Sequence, residues 1–329
     1  MADPGTMLYT TAYELEERFG SKKTEKLARE SEYAFLQKVT DIAYEAAWNR
    51  EIKAVFISGP TSSGKTTTST RLGSAIHLYG RPTLTISLDD YYKEGDYDYD
   101  EDGRPDMESI TTLDIDLMVT QFRQLLRGEE VILPRFDFGT RTRSFPEERR
   151  ASIAQNAVMI VEGLHGLSDE VIGELPQDEC MGVFLCPWAS LVGDRTLLRP
   201  EQIRQLRRIS RDHSHRQTGA LATLDYWPII HMAESRLFEA YLQRADYFIN
   251  SVIPYEFFVI GTMAADYLEE DLKRLDAGEQ LASPLTRDGH FADILAAREA
   301  AEHLIRVSRG LPRISPDMVP PMSILNEFI

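Results

Sequence analysis

The sequence predicts an α/β fold, a mostly parallel sheet flanked by helices, with helical extensions at both ends. Three observations carry this. Short apolar runs ending in turn or acidic residues recur between residues 54 and 249. Segments of helical periodicity separate most of them, and strands alternating with helices imply right-handed βαβ crossovers and a parallel sheet. No flexible linker divides the 329 residues, so one core with additions is expected rather than two independent domains of roughly 150 residues each.

Residues 8–50 read as helix, because Tyr33, Phe35, Leu36, Val39, Ile42 and Ala43 recur at spacings of three and four with charges between them. The run 54–57 then reads as a buried strand leaving into Ser58-Gly59-Pro60. Further strands are expected at 84–88, 131–133, 157–161, 182–185 and 247–249, and helices at about 66–79, 112–127, 200–216 and 229–244. Trp227-Pro228 reads as a packing anchor at the start of the last helix. Residues 93–106, acidic and rich in Tyr, Gly and Asp, read as a surface loop. Residues 261–329 are expected to be mainly helical, with the tail around Pro312, Pro316, Pro320 and Pro321 wrapping over the body. The division is thus a helical extension over 1–50, a core over 51–260 with an arginine-rich lid helix around 199–218, and a helical extension over 261–329.

Acidic residues outnumber basic ones 53 to 36, a net charge of −17. This argues against nucleic acid or an anionic membrane as partner, and leaves room for an anionic small molecule at a locally basic site. The apolar runs are far short of the ~20 residues a membrane span needs. Met1-Ala2-Asp3-Pro4 shows neither the basic nor the apolar region of a secretory leader. Cys180 and Cys186 make neither metal-ligand spacing nor a disulfide framework, so a cytoplasmic setting is expected.

Gly59-Pro60-Thr61-Ser62-Ser63-Gly64-Lys65-Thr66-Thr67 matches G-x-x-x-x-G-K-[ST], the phosphate-binding loop. It follows an expected strand and opens an expected helix, the context that gives the motif its meaning. The glycines let successive N–H groups turn inward around phosphate oxygens, and the helix adds its positive end. Lys65 supplies a charge for the β- and γ-phosphates, and the Thr66 hydroxyl is a Mg²⁺ ligand. A P-loop NTPase fold using ATP and Mg²⁺ is therefore expected. The next strand runs into Asp89-Asp90, and ligands of open α/β sheets sit beyond the carboxyl ends of strands. Asp89 is accordingly a candidate to accept a proton from a hydroxyl or to hold Mg²⁺, with a turn or capping role as the plain alternative. Glu162, at the end of an apolar strand, is a candidate second metal carboxylate. Arg204, Arg207, Arg208, Arg211 and Arg216 put five arginines within thirteen residues, the first four on one helical face. Guanidinium groups there suit phosphate oxygens; a solvated, carboxylate-paired face is the alternative. His213 and His215 are assigned no metal, and His165 no strong role.

In order, these segments resemble the uridine kinase and phosphoribulokinase family of P-loop kinases. The matching pieces are Gly59 to Thr67, Ser87-Leu88-Asp89-Asp90-Tyr91-Tyr92, Pro105-Asp106, Leu133-Pro134-Arg135-Phe136-Asp137-Phe138, Val161-Glu162-Gly163-Leu164, Arg207-Arg208-Ile209-Ser210-Arg211-Asp212 and Ala245-Asp246-Tyr247. They cover about residues 53–250. The ending Val319-Pro320-Pro321-Met322-Ser323-Ile324-Leu325 is similar to a bacterial branch of uridine kinase-like proteins. The resemblance implies that Asp89 is the base taking the proton of a 5′-hydroxyl, that Tyr92 lies near the nucleoside, and that Asp106 holds ribose hydroxyls. It implies further that Phe136 and Phe138 flank the base, that Glu162 lies near Mg²⁺, and that Arg208 and Arg211 reach acceptor and triphosphate. Arg141 stands where eukaryotic-type members carry a pyrimidine-reading histidine. A late lid arginine falls at Thr218, with Arg216 as its nearest substitute. The function so implied is that of an ATP-dependent, Mg²⁺-assisted kinase acting on the 5′-hydroxyl of a nucleoside, uridine or cytidine, with a homo-oligomer as an open alternative to a monomer. The competing readings are a kinase of a sugar phosphate or other small alcohol, which Arg141 would suit, and a non-catalytic nucleotide sensor.

Overall fold

The computed structural model describes residues 7–95, 97–173 and 175–329; the Met1-Ala2-Asp3-Pro4 stretch read for a leader lies outside them. In chain order the elements are β1 (Leu8–Thr11), α1 (Ala12–Glu17), α2 (Ser21–Trp48), β2 (Ala54–Ser58), α3 (Lys65–Leu78), β3 (Thr83–Ser87), α4 (Ile115–Leu126), β4 (Val131–Ile132), β5 (Arg135–Asp137), β6 (Thr142–Ser144), β7 (Arg150–Ala151) and β8 (Val158–Glu162). There follow α5 (Asp169–Ile172), β9 (Cys180–Cys186), β10 (Ala189–Val192), β11 (Thr196–Leu198), α6 (Pro200–Arg216), α7 (Ala220–Arg244), β12 (Tyr247–Asn250), α8 (Glu256–Asp276) and α9 (Ile294–Arg309).

Five strands form the central sheet in the order β12-β9-β2-β8-β3, and every neighbouring pair is parallel. The continuous apolar runs of β2, β8 and β9 are fully buried, as strands covered on both faces require. One face packs against α2 and α3 through residues such as Phe35 and Ile76, and α8 and α9 extend the same core outward with Phe258 and Leu304. The other packs against α4 and the second half of α7 through Phe122, Leu125, Phe184 and Tyr241. The register sets up the site. Glu162 of β8 lies opposite Ile57 of β2 on one side and Ser87 of β3 on the other. The loop at 59–64, Asp89 and Glu162 therefore leave the sheet at the same carboxyl edge.

Two sequence expectations are corrected. Residues 8–50 are not helical throughout: Leu8-Tyr9-Thr10-Thr11, with its aromatic and β-branched residues, pairs in parallel with β10. Pro228 does not begin a helix; α7 starts at Ala220 and carries Pro228 inside it. Burial of the residues on either side of that proline, from Ala220 to Trp227 and at Ile229 and Ile230, outweighs the hydrogen bond it cannot donate. Among the described residues no helix is long and apolar enough to cross a membrane.

Candidate active site

The strand β2 ends at Ser58, and the chain must turn at once to start α3 at Lys65. A side chain at Gly59 would lie 2.0 Å from the Leu185 carbonyl oxygen, so only glycine fits. Gly64 caps α3 with φ +93°, a left-handed conformation that other residues resist. Within the turn, the hydroxyls of Ser62 and Ser63 are buried without a partner, as expected of a loop whose polar groups await a ligand. Lys65 donates from Nζ to the carbonyl oxygens of Gly59 (3.0 Å) and Pro60 (2.9 Å). Thr61 N–H donates to Glu234 at 2.9 Å, and Arg208 donates to the Thr61 hydroxyl at 2.9 Å.

A cleft of about 300 Å³ opens over this loop. Lys65, Thr66, Asp89 and Glu162 line its floor, and Tyr92 and Phe138 one wall. Asp89 comes from the short turn Leu88–Tyr91 that follows β3. The Thr66 hydroxyl donates to Glu162 at 3.3 Å. Burial, reinforced by the Asp89 charge and opposed by Lys65, pushes the Glu162 carboxyl up to about 7. The folded chain thus binds a proton there more tightly than the unfolded chain, so this carboxyl subtracts stability as pH rises from about 4.5 through about 7. Glu162→Gln is expected to raise the melting temperature of the nucleotide-free protein at pH 8 by a few degrees, with the difference vanishing below about pH 5. Melting curves across that range check it; a Gln variant that melts lower at pH 8 contradicts it.

On the wall, the ring of Tyr92 lies 5.5 Å from Phe136 and 5.3 Å from Phe138. Phe138 borders the cleft, whereas Phe136 is buried behind it and does not. The Tyr92 hydroxyl donates to the Met107 carbonyl at 2.9 Å. Asp106 does not itself border this cleft, although Met107 and Glu108 do. Its Oδ1 is buried with no partner, an acceptor left open beside the wall. Arg141, at φ +56° in the β5–β6 turn, stacks 5.3 Å over Tyr97. It faces an adjoining cavity of about 500 Å³ that shares Met107, Phe138, Arg208 and Arg216 with the cleft.

The arginine helix divides in two. Arg204 gives Nη1 to both oxygens of Glu234 at 2.8 and 2.7 Å. Arg207 pairs with Glu256 and donates to the Ser251 carbonyl at 2.8 Å. Both are buried: on the face they share with Arg208 and Arg211, these two brace the phosphate loop and do not line the cleft. The helix is not a free-standing lid either, since Ile203, Leu206 and Ile209 are in the core. Its C-terminal half, carrying Arg208, Arg211 and Arg216, borders the cleft. Asp212 gathers all three, with contacts of 3.1, 2.8 and 3.7 Å. Burial works against its charge, but Arg211 and Arg208 hold its carboxyl below the ordinary value. Burial and the neighbouring Arg211 lower the Arg216 guanidinium, an environment that an incoming anion would relieve. His165 is buried, bonded to the Tyr241 hydroxyl and the Glu108 carbonyl.

Sequence reasoning missed Glu108, Asp212, Glu234 and Glu327. Burial pushes the Glu108 carboxyl up against the pull of Arg208. Glu327, from the last residues of the chain, lines the cleft. The Thr66 hydroxyl and the Asp89 and Glu162 carboxylates are hard oxygen donors of the kind Mg²⁺ takes when phosphates and waters supply the rest. Among the described residues no cluster of three or more His, Cys, Asp or Glu side chains could hold a metal alone.

Comparison with known proteins agrees in kind. Residues 54–254 match the sequence model of the phosphoribulokinase / uridine kinase family. A uridine kinase of Ligilactobacillus salivarius is 28% identical over 182 residues, 54% of this chain and 76% of its own. A uridine kinase of Schizosaccharomyces pombe is 29% identical over 153 residues, 43% of this chain and 31% of its own. A phosphoribulokinase of Synechocystis is 33% identical over 135 residues, 39% of this chain and 36% of its own. The chain thus spans from about a third to three quarters of these relatives' length.

Proposed function

Because the chain belongs to the phosphoribulokinase / uridine kinase family, we propose that it is an ATP-dependent kinase that phosphorylates the 5′-hydroxyl of a nucleoside, uridine or cytidine. The observation that carries this reading is the convergence of the phosphate loop, Asp89 and Glu162 on one cleft beside an aromatic wall. Lys65, now bonded to two loop carbonyls, exchanges them for the β- and γ-phosphates of ATP. Thr66, Glu162 and Asp89 would hold Mg²⁺, which would offset the negative charge of the phosphates. Asp89 orients the acceptor hydroxyl and takes its proton. Arg208, Arg211 and Arg216 border the same cleft, where fixed cations stabilise developing charge without reorganisation. Tyr92 and Phe138 flank the acceptor and exclude water.

Asp106 is assigned to the ribose hydroxyls. Removing a charged partner from a buried hydroxyl costs ~1.5–3 kcal/mol, or about 10- to 100-fold in affinity. Asp106→Ala should therefore raise acceptor KM by that factor and leave kcat within about threefold. Steady-state kinetics with varied acceptor decides it; a loss confined to kcat would remove the assignment.

A second reading rests on Arg141, Arg208 and Arg216 around the adjoining cavity, cations that a sugar phosphate would use and a neutral base would not. An acceptor panel of nucleosides and pentose phosphates with ATP and Mg²⁺, read by ADP release, separates the two. The nucleoside reading expects the highest kcat/KM with uridine or cytidine; a pentose phosphate at the head of the ranking would overturn it in favour of the second.

A further inference from the structure

The last residues of the chain are built into the phosphate loop. Ile324, Leu325 and Phe328 are fully buried. Ile324 Cδ1 lies 3.3 Å from where a Cβ on Gly64 would stand, and the Phe328 ring lies 5.1 Å beneath the Arg207 guanidinium. Ser323 is bonded to the Tyr255 hydroxyl at 3.2 Å. This packing fixes the segment and presents Glu327 to the cleft. There its Oε2 accepts from the Thr67 hydroxyl at 3.1 Å and the Thr67 N–H at 3.4 Å.

Thr67 is in the first turn of α3, where N–H groups have no acceptor within the helix and the dipole favours an anion. It closes the motif that cradles phosphate. The carboxylate of Glu327 therefore rests on donors that a nucleotide phosphate needs, and two anions cannot share them in a cleft that already contains Asp89 and Glu162. The residue itself is only half-buried, flanked by the exposed Asn326 and the buried Phe328. Rotation of its side chain clears the seat while Leu325 and Phe328 stay packed.

We propose that Glu327 is a self-inhibitory latch: its carboxylate occupies the Thr67 seat in the nucleotide-free protein, and nucleotide binds after displacing it. This rests on the reading of the phosphate loop as an ATP site. Nucleotide affinity is then reduced by the fraction of molecules whose seat is free. Two long hydrogen bonds from a half-exposed side chain, worth together about one ordinary net hydrogen bond, make that fraction about a tenth to a third.

The test is the dissociation constant of ADP with Mg²⁺, by calorimetry, for the wild type, Glu327→Gln and Glu327→Ala, with melting temperatures to verify folding. The latch predicts that both variants bind ADP about 3- to 10-fold tighter, the Ala variant at least as tightly as the Gln. Gln keeps the shape and decides the matter if Ala fails to fold. Wild-type binding with equal or weaker binding by a folded Gln variant overturns the latch alone, and weaker binding would make Glu327 a nucleotide contact instead. A wild-type protein that binds no ADP overturns the ATP-site reading, and the latch with it.

Discussion

Asparagine in place of Asp89 is expected to lower kcat at least about a hundredfold, since a positioned general base contributes typically 10²–10⁴-fold. The amide keeps the shape of the carboxylate, and Asp89 borders the cleft from a short turn whose buried members, Leu88 and Tyr91, provide the packing. The turn should therefore survive the change. Acceptor KM should move much less, because the ribose contacts assigned to Asp106 remain. ATP affinity should stay close to that of the wild type. Kinetics with ATP and acceptor varied separately test this. A variant with near-normal kcat would make the carboxylate dispensable, and one that does not fold would make it structural.

Alanine at Lys65 should abolish transfer with every acceptor, a fall of at least about 10³-fold. The reason is electrostatic. The cleft carries Asp89, Glu108, Glu162 and Glu327 against Lys65, Arg208, Arg211 and Arg216, and Lys65 is the cation that rises from the phosphate loop itself. Arg208 reaches the loop only at the Thr61 hydroxyl, and all three arginines are partly neutralised by Asp212. Losing the two bonds from Lys65 to the loop carbonyls should cost only modest stability, so a melting curve separates lost chemistry from a collapsed loop. Full activity would remove the phosphate loop from the mechanism.

The strand ends are legible in the sequence because burial on both faces writes β2 and β8 as unbroken apolar runs, and a lone acid or glycine at the end of such a run stands out. The motif 59–67 is legible because its backbone demands glycine at fixed places. What escapes the sequence is partnership across distance. Thr61 meets Glu234 across 173 positions and Thr67 meets Glu327 across 260, and no local period marks such pairs. Arg204 and Arg207 have the same spacing as Arg208 and Arg211. Only the fold reveals that Glu234 and Glu256 take the first two into the core. The strand Leu8–Thr11 is hidden by the strong helical period of the residues after it, because its partner β10 lies far along the chain. Pro228 signals a helix start by its local chemistry, and the packing of α7 on both sides overrides that signal.

On the proposed reading this cleft transfers the γ-phosphoryl group of ATP to an alcohol. Phosphorus NMR of a single reaction with ATP, Mg²⁺ and uridine or cytidine tests it most directly. The expected spectrum shows a growing phosphomonoester resonance that matches ADP mole for mole, with no inorganic phosphate. ATP that binds but stays intact with every nucleoside and sugar phosphate, or that yields inorganic phosphate alone, would contradict it.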